Sequence, residues 1–156
     1  IKEQRIVGYE RFSGHVYREM VKSIKAYRVK GKNRKFKIDL NPEAVITNII
    51  TDTSANLVEE VNPVHEIKDQ EELTFGGTGG RSEISVVKRG RYLTDSDIGI
   101  LSEGGKDSSK TGFVSYLSSD PMIKDYRGNI ATDETPTIAG MSSVTGNLNF
   151  GIGKDD

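Results

Sequence analysis

The chain has 156 residues, a net charge of −1, 34% hydrophobic and 29% charged residues and 17 glycines, with a mean hydropathy of −0.51. That apolar share is thin for a self-sufficient core but too periodic for a disordered chain, so the sequence predicts ordering against a partner. With no cysteine, disulfides and thiolate metal sites are excluded. No apolar run reaches the roughly 18–20 residues of a membrane span, and no membrane association is expected. The chain starts at Ile1 rather than methionine, so trimmed ends or an excerpt of a longer protein are expected.

In chain order, Ser13 is expected to cap a helix running to about Tyr27. Along it Val16, Tyr17, Met20, Val21, Ile24 and Tyr27 recur at three- and four-residue spacings as one apolar stripe. Gly31-Lys32-Asn33 reads as a turn and Lys35–Leu40 as a short strand. Asn41 followed by Pro42 predicts an N-cap and first helical residue, with Ala44, Val45, Ile46, Ile49 and Ile50 buried behind. A further short helix, Ser54 to Glu60, is expected to stop at Asn62-Pro63, because proline biases the residue before it away from helical angles. Thr74 to Gly80 predicts a loop with bare backbone. Ile84–Val87 and Phe113–Leu117 read as short strands, Ile98–Leu101 as a short apolar run, Arg89-Gly90-Arg91 as a basic corner, and Ser102–Thr111 as a second polar loop. After Gly128 the Thr/Ser/Gly/Asn-rich chain predicts weak or partner-dependent order. The fold class expected is α+β, with short helices in the first half and short strands and Gly-rich loops in the second. The regions are 1–73, 74–128 and 129–156.

Charge is segregated. Lys22, Lys25, Arg28, Lys30, Lys32, Arg34, Lys35 and Lys37 form a stretch without an acid, and Glu59, Glu60, Glu66, Asp69, Glu71 and Glu72 crowd the next. Such blocks suit an electrostatic or intersubunit surface, or simply a solvated helix face and a basic turn. The glycine loops fail as phosphate cradles: Lys106 is followed by Asp107, and neither loop leads into a helix pattern. Asp95-Ser96-Asp97 could chelate magnesium, but such a pair often only marks a turn, and Gly99 stands where a polymerase catalytic motif needs a third aspartate. His15 and His65 are too few and too isolated for zinc. Residues alone therefore lead to a loop-rich α+β chain with no catalytic centre of its own.

Asn62-Pro63-Val64-His65-Glu66, Leu73-Thr74 and Gly77-Thr78-Gly79-Gly80 carry a resemblance to the β subunit of multisubunit DNA-dependent RNA polymerases. That family has Asn-Pro-Leu-Ser-Glu and Leu-Ser-Ala-Leu-Gly-Pro-Gly-Gly in ungapped register with these stretches. Arg91 and Gly99 fall on its Arg-Asp-Val-His-Pro-Thr-His-Tyr-Gly, and Glu103, Gly112, Phe113, Val114, Ser115 and Leu117 on the segment that follows. The similarity spans about Arg5 to Gly128. Departures are large: Gly104 to Ser109 replaces the family's Thr-Pro-Glu-Gly-Pro, and Thr94-Asp95 its His-Pro. In this respect the chain is similar to the split β subunits of giant-bacteriophage polymerases. A stop near Asp156, ahead of the family's substrate-binding lysines, suits a split gene or an excerpt.

The resemblance implies a role in holding template DNA and the RNA–DNA hybrid near the active centre. Gly77, Gly79 and Gly80 would approach nucleic acid closely, and Arg81, Lys88, Arg89 and Arg91 would contact phosphates. The implied partners are the remaining β and β′-type subunits, DNA template and RNA product. Mg2+ would be bound by the β′-type partner, with no cofactor in this chain, which alone would be inactive. The cytoplasm of an infected bacterium is the implied setting, with the virion also open. Rifamycin-pocket equivalents are Leu57, Glu59, Asp69, Glu72 and Thr74, with Asp69 and Glu72 standing at the family's histidine and arginine positions. The alternative is a phage structural or interaction protein with no catalytic role.

Overall fold

The computed structural model describes residues 5–30, 39–58, 60–131, 133–151 and 154. It is an α+β protein of two compact units, one running to Ala55 and taking in Asp125–Asn129, the other comprising Asn56–Lys124 and Ile130 onward. The division lies at Ala55/Asn56, upstream of the 73/74 boundary read from the sequence.

The first unit is built on α1 (Arg11–Lys30) and α2 (Pro42–Ile50). A single 3-10 turn, Val7–Glu10, leads into α1. Ser13 lies inside the helix rather than at its cap, its hydroxyl donating to the Glu10 carbonyl. α2 begins as its sequence dictates: the Asn41 side chain accepts from the amides of Glu43 and Ala44, and Pro42 occupies the first turn. The apolar patterning misleads about which face is covered. Tyr17, Met20, Ile24 and Tyr27 of the α1 stripe are exposed, whereas Glu19 and Ser23 are buried. α2 has no buried residue, and Ile46 and Ile50 are exposed. Polar contacts tie α1 to the residues flanking α2. Ser23 donates to the Asp39 carbonyl, and Asp52 receives Arg11 Nη2 at 2.5 Å and meets His15 Nε2 at 2.6 Å. The Arg11 bond, then the amide and hydroxyl of Ser54, then His15 hold the Asp52 carboxyl well below the usual carboxylate range. The 31–38 turn-and-strand expectation lies outside the described residues, apart from Asp39 and Leu40, which join no element.

The expected Ser54–Glu60 helix is absent at Ser54–Val58 and at Glu60, Glu59 lying outside the described residues. Asp52 Oδ1 takes the Ser54 amide and hydroxyl, a local turn that competes with helix nucleation. Asn62-Pro63 starts a helix instead of ending one. In α3 (Pro63–Gln70), the Asn62 side chain accepts from the Val64 amide, and Asn62 keeps the extended backbone that proline demands.

The second unit centres on a three-stranded antiparallel sheet of β1 (Glu72–Thr74), β2 (Leu101–Gly105) and β3 (Val114–Leu117), in the order β1-β3-β2. Thr74 faces Val114 and Leu101 faces Leu117, with an irregularity in β2 before Gly105 meets Ser115. β2 thus claims the start of the expected 102–111 loop. Gly104 makes this possible by lying flat on the Tyr116 ring, where an added Cβ would come within 3.0 Å of Cδ2. Ile84–Val87 is not a strand: Glu83–Ser85 forms a 3-10 turn closed by the Ser85 amide and hydroxyl on the Ser82 carbonyl. A small cluster of Val86, Phe113 and Val114 forms the core, with Phe75 and Phe113 rings tilted at 6.2 Å. Ser143, at the start of α4 (Val144–Asn147), is anchored within this unit by Glu103, which accepts from its amide and hydroxyl. Burial opposes the charge on Glu103, but the two Ser143 bonds prevail and its carboxyl sits below the usual range.

Candidate nucleic-acid interface

β1 delivers the chain into the glycine loop, and each bond there has a local cause. The Phe75 amide donates to the Phe113 carbonyl, the Gly76 amide to Thr74 Oγ1, the Gly80 amide to the Gly77 carbonyl, and the Arg81 amide back to the Phe75 carbonyl at 2.8 Å. Gly77 and Gly79 take positive φ of 87° and 78°, and a Cβ on Gly80 would lie 2.3 Å from the Gly76 carbonyl oxygen. Only glycine closes this ring without strain. The result is an exposed stretch of backbone, Gly77 to Gly80, clipped at both ends to the sheet edge.

Arg81, Lys88 and Arg89 are exposed, and none has a hydrogen-bond or ion-pair partner for its side chain among the described residues. Lys88–Arg91 is a 3-10 turn, closed by the Gly90 amide on the Val87 carbonyl. Arg91 stands apart from the other three. Its guanidinium donates to the carbonyls of Val86, Glu83, Ser109 and Thr111 and lies over the Phe113 ring at 5.7 Å. It therefore binds three turns of this unit together instead of presenting a free cation. Gly112 accommodates that arrangement at φ 67°, since a Cβ there would meet the Arg91 carbonyl oxygen at 2.3 Å. Sequence reading missed this role because Arg91 was grouped with Arg89 in one basic corner; the glycine-bearing turns on either side were its only signal.

Among the rifamycin-pocket equivalents, Leu57 is exposed, and Glu59 lies outside the described residues. Asp69 on α3 pairs with His65 one helical turn earlier at 3.4 Å. Glu72 on β1 pairs with Lys106 at 3.1 Å, and that bond, with the neighbouring Tyr116, raises the Lys106 ammonium above its ordinary value. Thr74 spends its hydroxyl oxygen as acceptor for the Gly76 amide. Lys68 adds a second cation over the Tyr116 ring, at 5.1 Å.

The residues do not fit a magnesium cradle. The carboxylate of Asp97 accepts from the amide and hydroxyl of Thr94, closing the Asp95–Asp97 turn. No group of three or more His, Asp or Glu side chains converges among the described residues. Nor is any helix among them long and apolar enough to cross a membrane.

The family model of bacteriophage RNA polymerase matches residues 1–83, which takes in the first 55 residues, α3, β1, the glycine loop and Arg81. No curated protein matches the chain. With more than half of its length covered, the chain belongs to the bacteriophage RNA polymerase family.

Proposed function

We propose that this chain is part of the β-type subunit of a multisubunit phage RNA polymerase and helps to hold template DNA and the RNA–DNA hybrid beside the active centre. The observation that carries the reading is the family match extending across the glycine loop to residue 83. That loop offers bare backbone, and Arg81, Lys88 and Arg89 follow it as exposed cations whose side chains have no partner among the described residues. Such groups suit sequence-independent phosphate contacts, which an enzyme translocating over any template needs. Catalytic Mg2+ would come from a β′-type partner, and the setting would be the cytoplasm of the infected host.

The test is the salt dependence of DNA binding by the full chain. Replacing Arg81, Lys88 or Arg89 singly with alanine is expected to weaken binding to all sequences alike and to flatten the slope of log affinity against log salt by about one for each residue. An unchanged slope, or losses confined to particular sequences, would place the nucleic acid elsewhere.

A further inference from the structure

The turns organised by Arg91 leave an open groove between Glu83–Tyr92 and Ser108–Thr111, lined by Ile84, Val86, Tyr92, Lys88 and Glu83. Its apolar members are poorly explained by packing. Ile84 is 96% and Tyr92 62% exposed, and the Tyr92 hydroxyl has no partner among the described residues. Val86 beneath them is buried and belongs to the core cluster, so the groove has a firm floor. Among the described residues Lys88 at the rim and Arg89 next to it in the chain have no side-chain partner, while Arg91, which also lines the groove, is fixed by four carbonyls.

From this juxtaposition we infer that the groove seats an unpaired nucleobase, stacked on Tyr92 against Ile84, with the flanking phosphates riding over Lys88 and Arg89. An aromatic face beside cations is what a single strand needs: every base has a π-face, and each phosphate carries a charge. A duplex cannot use the groove, because its bases are already stacked and paired. Glu83 limits the groove itself to the base, since a carboxylate there would repel a phosphate placed inside. The inference rests on the proposed nucleic-acid role and adds to it a preference for unpaired strand, which phosphate contacts alone do not supply.

The experiment compares binding by the full chain to three probes of equal length: a single strand carrying 2-aminopurine, the same strand as duplex, and an abasic strand. The base-bearing single strand is expected to bind about five- to a hundred-fold more tightly than the abasic strand, the range of one base–aromatic stack. The 2-aminopurine fluorescence is expected to be quenched on binding. Tyr92→Ala abolishes the quench and the advantage over the abasic strand while abasic affinity stays unchanged, and Tyr92→Phe retains both. Tyr92 is surface-exposed, so neither variant removes core packing. Equal binding of base-bearing and abasic strands, or a Tyr92→Ala variant that still discriminates, would overturn the inference and leave the phosphate-contact reading standing. Failure of the unaltered chain to bind any of the three probes would overturn both.

Discussion

Arg91 and the cations around it look alike in sequence but have different chemical tasks. A guanidinium directs donors in several directions from one plane, which an ammonium cannot do. Arg91 uses that geometry on the carbonyls of Glu83, Val86, Ser109 and Thr111. Arg91→Ala is expected to cost about 2–4 kcal/mol, because charge-assisted bonds contribute roughly 1.5–3 kcal/mol each and part of this is recovered by hydration. Arg91→Lys should lose most of the same stability while keeping the charge. Urea unfolding checks both; a lysine variant as stable as the original would refute the internal role. At Asp69 and Glu72 the same bookkeeping of donors bears on inhibitor binding. If the β-subunit resemblance holds, acceptor-only carboxylates replace a histidine and an arginine of the rifamycin pocket. Lys106, a cation that could stand in for the arginine, is already bonded to Glu72. Two mismatched polar contacts would together cost about 2–6 kcal/mol, or roughly thirty- to ten-thousand-fold in affinity. The assembled polymerase is therefore expected to resist rifampicin, and inhibition at nanomolar concentrations in a transcription assay would contradict this.

Among the elements, short-range chemistry was legible and partner choice was not. Asn41-Pro42 announced α2, Thr74–Gly80 announced its loop except for Thr74, which ends β1 instead, and Phe113–Leu117 announced β3, because caps, proline and alternation act within a few residues. Asn62-Pro63 was legible as a boundary but ambiguous in direction, since the same extended asparagine can end one helix or cap the next. β2 was hidden because Gly104 and Gly105 have weak strand propensity; it forms through pairing with β3 and contact with Tyr116, both of which depend on residues distant in sequence. At the site, the glycine loop could be read directly, whereas the use of Arg91 depended on carbonyls up to 20 residues away. The α1 stripe was recognised as a stripe, and within this chain its Tyr17, Met20, Ile24 and Tyr27 are left exposed. Under the proposed function, that stripe packs against the rest of the polymerase. The double variant Met20→Glu, Ile24→Glu is then expected to shift the chain's own stability by about 0.5 kcal/mol or less, as at ordinary surface sites, while sharply reducing its capture of polymerase subunits. A loss of about 2–5 kcal/mol, as for a core position, or undiminished capture, would count against this.

At the scale of the whole molecule, little apolar surface is buried among the described residues. Val86, Ile100, Phe113, Val114, Tyr116 and Ala131 are the buried apolar residues among those described, against a far longer series of large apolar side chains left exposed. Under the proposed function, that exposed apolar surface is where the other polymerase subunits pack. The most direct test is to isolate the tagged full chain from phage-infected cells, identify what accompanies it, and assay template-dependent RNA synthesis with magnesium and nucleotides. The proposed function predicts that a β′-type chain co-purifies, that the complex makes RNA, and that this chain by itself makes none. RNA synthesis by the chain alone, or its isolation without any polymerase partner, would contradict it.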